Sequence, residues 1–265
     1  MRRWLIYLQP VGLFVRANMK YLTVVFLLLL SVTSSAGDAL TPVPMATGEW
    51  PPFVSASLPG QGSFVVALRK AMARKGLEPQ LTFTSWSRAE HMVETGAVFA
   101  AFPYIHNAAR AANHRFSAPV MYSHSVVFIR KEDTGKLPHF ERLSDVKGLR
   151  FAAPHGYWYE DLLLTHGAQI VYSADEVSAF KSLVSGLADA VIQNQEVGRY
   201  IIDHDFAEQR TRLTESTKAI GEPRQALMLM VSRTYPNADA MLRRINAALA
   251  TLTPADMQMV SDRHD

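Results

Sequence analysis

The chain has 265 residues, with 27 lysines and arginines against 24 aspartates and glutamates, and no cysteine. Without cysteine there is no disulfide framework, no thiolate metal cluster and no lipid-accepting thiol. The formal charge of +3 comes from residues 1–36, where Arg2, Arg3, Arg16 and Lys20 meet no acid; the rest holds 23 basic against 24 acidic residues and offers no basic excess of the kind nucleic-acid binding requires.

Residues 1–36 end in an apolar run, Tyr21 to Leu30, followed by the small residues Ser34-Ser35-Ala36. A basic start, an apolar stretch and a small-residue exit are the three parts of a cleavable export signal. The run is about half of the ~20 apolar residues that a membrane span needs, which favours a signal over an anchor. Met19-Lys20, just ahead of the run, would serve as an alternative start. The expectation is a soluble periplasmic protein without a lipid anchor, long enough after cleavage for one large core or two smaller ones.

From there strand-like and helix-like patterns alternate. Ser63 opens a helix with Phe64, Ala67, Leu68, Ala71 and Met72 on one face, and Gly76 ends it. Gln80–Phe83 reads as a strand. Ser87 is a candidate cap for a second helix that runs to Gly96, with the apolar run Ala97–Phe102 behind it. Val126–Ile129 and Leu149–Ala153 read as buried strands. Ser173-Ala174-Asp175-Glu176 has the form of a capping box for a helix that ends at Gly186, and Asp189–Ile192 returns as a strand. Met241, Leu242, Ile245, Ala248 and Leu249 share one helical face, and Thr253–Asp256 caps a last short helix.

The alternation predicts an α/β protein with mainly parallel sheets flanked by helices. A helix end, a glycine turn and a strand occur at Val93–Ala100 and again at Leu183–Ala190, which points to two similar lobes with a ligand cleft between them. No metal-ligand spacing appears among the nine histidines, and no nucleophile elbow, phosphate loop or dinucleotide fingerprint is present. The sequence therefore implies no metal and no cofactor. His106, His124 and His155 fall near the expected cleft.

Seven motifs in order resemble the bacterial extracellular solute-binding proteins of family 3, from Gly48 to about Arg263. They are Gly48-Glu49-Trp50-Pro51-Pro52-Phe53, Gly62-Ser63-Phe64, Trp86-Ser87-Arg88-Ala89, Arg110 with Phe116-Ser117-Ala118-Pro119, Leu143 to Gly148, Gly186 to Ile192, and Ile245 to Leu249. The resemblance implies a type II periplasmic binding fold with a two-strand hinge. Lobe 1 would be 37–122 and 226–265, and lobe 2 123–225, with crossings near Val120–His124 and Gln225–Leu227. Such a protein closes on its ligand and is read by a membrane transporter or sensor.

The resemblance also places the site. Arg110 matches the arginine that holds a ligand carboxylate, for which a guanidinium fork is suited. Trp50 and Trp86 match aromatics that sandwich the ligand, Phe53 packs beneath their loop, and Tyr104 lies close by. On the second lobe His155-Gly156-Tyr157-Trp158-Tyr159 follows a strand; Gly156 allows close backbone approach, and free amides ahead of the helix favour an anion. At least one aromatic there, with Tyr157 the candidate, faces the cleft. Gln193 and Asn194 complete the set. Asn194 stands where amino-acid binders of this family carry the aspartate that pairs with the ligand's ammonium. Leaving that group unpaired would cost ~3–5 kcal/mol, about two to three orders of magnitude in affinity. Glu49, Glu160, Asp161 and Glu196 are the candidate substitutes. Val65, Ala67 and Phe99 also replace acids that many members carry.

The expected function is capture of a small polar, carboxylate-bearing solute for an ABC-type importer, by a monomer that is not an enzyme. The alternatives are a dehydratase-like enzyme on the same scaffold, with Glu196 as the candidate acid or base, and a ligand-sensing subunit of a membrane receptor.

Overall fold

The computed structural model describes residues 40–217, 225–253 and 256. The proposed export signal and the segment after Asp256 lie outside the described residues. Among those described, no helix is long and apolar enough to cross a membrane.

The elements alternate as expected. Strand β1 (Thr41–Thr47) leads to α1 (Ser63–Ala73), β2 (Leu77–Phe83), α2 (Trp86–Glu94), β3 (Ala100–Tyr104), α3 (Ala108–Asn113), β4 (Arg115–Phe116) and β5 (Met121–Ser123). Next come β6 (Ser125–Arg130), β7 (Arg150–Pro154), α4 (Glu160–Thr165), β8 (Gln169–Ser173), α5 (Glu176–Val184), β9 (Ala190–Asn194), α6 (Gln195–Asp205) and β10 (Leu213–Glu215). Strand β11 (Gln225–Val231) and helix α7 (Ala238–Leu249) complete the described fold.

Two sheets result, in the orders β2-β1-β3-β11-β4, with β5 also on β11, and β10-β6-β9-β7-β8. They are mixed rather than mainly parallel. β2, β1 and β3 are mutually parallel, as are β8, β7 and β9, because helices return the chain between them. β6 enters the second sheet directly from β5, and β11 enters the first from the other direction, so both pair antiparallel with their neighbours. The two segments expected to cross between lobes are hydrogen-bonded to each other: Gln225–Leu227 pairs with Met121–Ser123. Beside them Ser125 Oγ donates to Gln225 Oε1 at 3.0 Å.

Side-chain periodicity explains the packing. Phe64, Leu68, Ala71 and Met72 of α1 are fully buried, and Phe64 stacks on Phe102 with ring centroids 5.2 Å apart. Phe128 and Phe180 pack edge to face in the other half. Ile245, Ala248 and Leu249 of α7 are buried, while Met241 and Leu242 sit at the margin of the core.

Two helix starts differ from the sequence expectation. Ser85, not Ser87, caps α2 by accepting from the Arg88 amide. Asp175, not Ser173, caps α5 by accepting from the Ser178 amide at 2.7 Å, because β8 extends through Ser173. Thr253 and Asp256 do exchange the reciprocal hydrogen bonds of a capping box, although the helix they would start lies outside the described residues.

Candidate functional site

Three parallel strands in each sheet deliver their following loops to one edge, where open α/β sheets place ligands. In the first sheet this edge carries Gly48–Trp50 after β1, Trp86 after β2, and Tyr104 with Arg110 after β3. In the second it carries His155–Tyr157 after β7, Asp175-Glu176 after β8, and Gln193-Asn194 at the end of β9.

Trp50 sits in a tight loop that the chain ties to α1. Its amide donates to the Val54 carbonyl at 2.7 Å, and its ring lies 5.0 Å from that of Phe53. Pro52 and Phe53 offer their carbonyls to the Ser63 and Phe64 amides, so the loop itself caps α1. Phe53 is buried beneath it, as expected. A Cβ on Gly62 (φ +95°) would fall 2.4 Å from the Phe53 carbonyl oxygen, so only glycine fits this junction.

Trp86, Tyr104 and Arg110 form one cluster. The Trp86 and Tyr104 rings meet edge to face at 5.9 Å, and the Tyr104 hydroxyl donates to the Trp86 carbonyl at 3.3 Å. Gly48 lies against the indole, and a Cβ there would come within 2.5 Å of it. The Arg110 guanidinium carbon lies 4.9 Å over the Tyr104 ring, a cation–π contact. Asn107 caps α3 through the Arg110 amide at 2.8 Å, fixing the residue at the start of its helix. The guanidinium donates to the Ile105 carbonyl at 3.4 Å and forms no ion pair among the described residues. Burial pushes the Tyr104 hydroxyl well above its usual range, aided by Glu90 and opposed by Arg110.

On the second edge Tyr157 donates a short hydrogen bond to the Glu176 carboxylate. Burial raises the Glu176 carboxyl above its ordinary value, against the opposing effect of the Tyr157 hydroxyl. The Tyr157 hydroxyl is raised as well, chiefly by burial and then by Glu176, while the adjacent Gln193 amide acts in the other direction. Tyr159 is packed inward, with its hydroxyl on the Ile192 carbonyl at 2.9 Å. Gln193 and Asn194 are 4% and 3% exposed. Gln193 Oε1 accepts the Asn194 amide at 2.7 Å. Asn194 Oδ1 caps α6 by accepting from the Glu196 and Val197 amides, while its buried Nδ2 has no hydrogen-bond partner.

The Gly156 amide, expected to be free for an anion, is instead taken by the protein's own anion. It donates to Glu160 Oε2 at 2.7 Å, and Glu160 also accepts from the Tyr172 hydroxyl. His155 stacks on Tyr172 at 3.8 Å, so this cluster pins the loop. Of the other acids considered as substitutes, Glu49 accepts from the Ala56 amide, and Glu196 buries an unpartnered oxygen in the first turn of α6. Glu176 was missed because the capping-box pattern assigned it to a helix cap. With Asp175 as the cap, it becomes the first residue of α5. Among the described residues no group of three or more His, Asp or Glu side chains could hold a metal ion.

No protein-family model and no curated protein matches the sequence. Solved structures do share the fold. The substrate-binding protein of an amino acid ABC transporter is 16% identical with a TM-score of 0.63, the match covering 79% of this chain and 92% of that one. A histidine kinase sensor domain with similarity to periplasmic binding proteins is 20% identical with a TM-score of 0.66, covering 80% and 90%. The ancestral amino acid-binding protein AncCDT-1, a precursor of cyclohexadienyl dehydratase, is 19% identical with a TM-score of 0.60, covering 79% and 88%. The chain therefore has the two-lobed, type II periplasmic-binding fold. Proteins that share that fold include solute binders, sensor domains and a dehydratase precursor.

Proposed function

We propose that this chain is a periplasmic solute-binding protein like those of family 3, which captures a small polar, carboxylate-bearing solute between its two lobes. In this reading residues 1–36 are removed on export. Lobe 1 is 37–122 with 226–265, lobe 2 is 123–225, and the protein works as a diffusible monomer that delivers its solute to an ABC-type importer of the inner membrane. Arg110 carries the argument. A half-buried guanidinium on the ligand edge, backed by Tyr104 and spared any described carboxylate, is a cation awaiting an anion.

Ligand raises the melting temperature of a binder by mass action. In a thermal-shift screen of small carboxylates, Arg110→Ala is expected to melt like the wild type when unliganded and to lose the ligand-induced rise. A stabilising carboxylate to which wild type and Arg110→Ala respond equally would refute the assignment. The likeness to a histidine kinase sensor domain supports a second reading, in which the closed state is read by a receptor. Transport of the identified solute into cells lacking this protein would then continue at the wild-type rate. Turnover of a bound ring carboxylate would favour the dehydratase-like enzyme over both.

A further inference from the structure

The second edge holds a carboxylate that has no cationic partner among the described residues. Glu176 accepts from Tyr157, lies partly buried, and has no basic group among the influences on its charge. Carboxylates that are only structural are ordinarily either solvated or paired. The other acids of this edge are engaged or have a cation beside them: Glu160 holds the Gly156 amide and the Tyr172 hydroxyl, Asp175 caps α5, and Glu196, although its buried Oε2 has no hydrogen-bond partner, has the Arg199 cation one turn along α6.

Asn194 supplies the second observation. Its oxygen is spent on the α6 amides, so the side chain can offer a ligand only its buried, unpartnered Nδ2, which is a donor. A donor cannot accept from an ammonium or guanidinium. Any cationic nitrogen enclosed at this edge needs an acceptor from another residue, and α5, the helix that follows β8, provides one at its first residue, Glu176.

We propose that Glu176, oriented by the Tyr157 hydroxyl at the carboxyl edge of β8-β7-β9, is the contact that takes a cationic nitrogen of the solute. The inference rests on the solute-binding reading above and narrows it. With Arg110 on the other edge, the favoured ligand is a zwitterion, its carboxylate on Arg110 and its ammonium on Glu176. Asn194 Nδ2 donates to an oxygen between them, and Tyr157 is a positioning residue.

The test is calorimetric and thermal-shift titration of the purified protein. A panel of L-amino acids is used, each beside the carboxylic acid that lacks its amine, such as L-glutamate with glutarate and L-phenylalanine with 3-phenylpropanoate. An amine-bearing probe should bind wild type and lose at least about 100-fold in affinity in Glu176→Gln, as expected for a buried cation that loses its partner. Tyr157→Phe should lose about tenfold in the wild-type background and nothing further in Glu176→Gln, which separates positioning from packing. A loss of about 100-fold in Glu196→Gln, with Glu176→Gln unaffected, would move the contact to Glu196 and overturn the proposal. Unliganded Glu176→Gln should unfold at or above the wild-type midpoint, so a binding loss is not a folding loss. Equal responses of wild type and Glu176→Gln to every amine-bearing probe, silence included, overturn the proposal. In that event a deaminated acid that stabilises wild type but not Arg110→Ala leaves the carboxylate reading standing.

Discussion

Helix α6 carries Asn194 at its head, and its seat depends on one missing methyl group. Gly198 lies in the buried face of α6, where a Cβ would fall 2.3 Å from two ring carbons of Phe128. Two effects compete in Gly198→Ala. Alanine in a helix interior is favoured over glycine by about 1 kcal/mol. Against this, carbon–carbon contact needs about 3.5 Å, so the helix or the ring must retreat by about 1.2 Å from the 2.3 Å approach. Phe128 is 1% exposed and its ring lies 5.2 Å from that of Phe180, which leaves it no free volume to enter. Overpacking of this kind costs about 1–3 kcal/mol, and disturbing the aromatic pair adds about 0.5–1.5 kcal/mol. The clash wins, by about 0.5–3.5 kcal/mol net.

Urea unfolding followed by circular dichroism measures the balance directly. Gly198→Ala should unfold at lower denaturant with an unchanged slope, and the melting temperature should fall by about 2–4 °C per kcal/mol lost. Phe128→Leu makes room for the new methyl group, so the double variant should lose less than the sum of the single changes. Ligand affinity should fall with Gly198→Ala as well, because the displaced helix takes Asn194 with it. A Gly198→Ala protein more stable than the wild type would mean that propensity prevails, and would refute the close seating of α6 on β6.

Asn194→Ala removes the α6 cap and should cost about 1 kcal/mol in the same unfolding assay. Asn194→Asp keeps the capping oxygen and adds charge at the helix start, so its midpoint should be retained or raised. Equal losses in the two variants would deny the capping role. The Arg150 guanidinium, which hydrogen-bonds Asp189, holds that carboxyl below its ordinary value of 3.8. A depressed carboxyl contributes stability that is complete above its unfolded value and is lost as pH falls through the folded one. The gap in unfolding midpoint between wild type and Asp189→Asn should therefore stay constant from about pH 7 to about pH 5 and close toward pH 3. A gap that widens on acidification would contradict the pairing.

The strands were legible because their apolar runs are short and bounded by glycine turns, as at Gly96, Gly148 and Gly186, each at positive φ. From the resemblance to family 3, not from the order of strands and helices alone, the loops that carry Trp50, Trp86, Arg110, Gly156 and Asn194 could be proposed as ligand edges. Which polar atoms those loops leave free could not, because that is settled by local competition among hydrogen-bonding groups. Ser85 prevails over Ser87, and Asp175 over Ser173, by where the preceding strand stops, which capping patterns do not encode. Glu160 reaches back four residues to fill the Gly156 amide, and Asn194 spends its oxygen on α6. Each such internal contact removes a group from the ligand's reach. The proposed contacts rest on what those local bonds leave: an Arg110 guanidinium without an ion pair among the described residues, the unpartnered Asn194 Nδ2, and a Glu176 carboxylate held by Tyr157, a set that no one of the motifs contains.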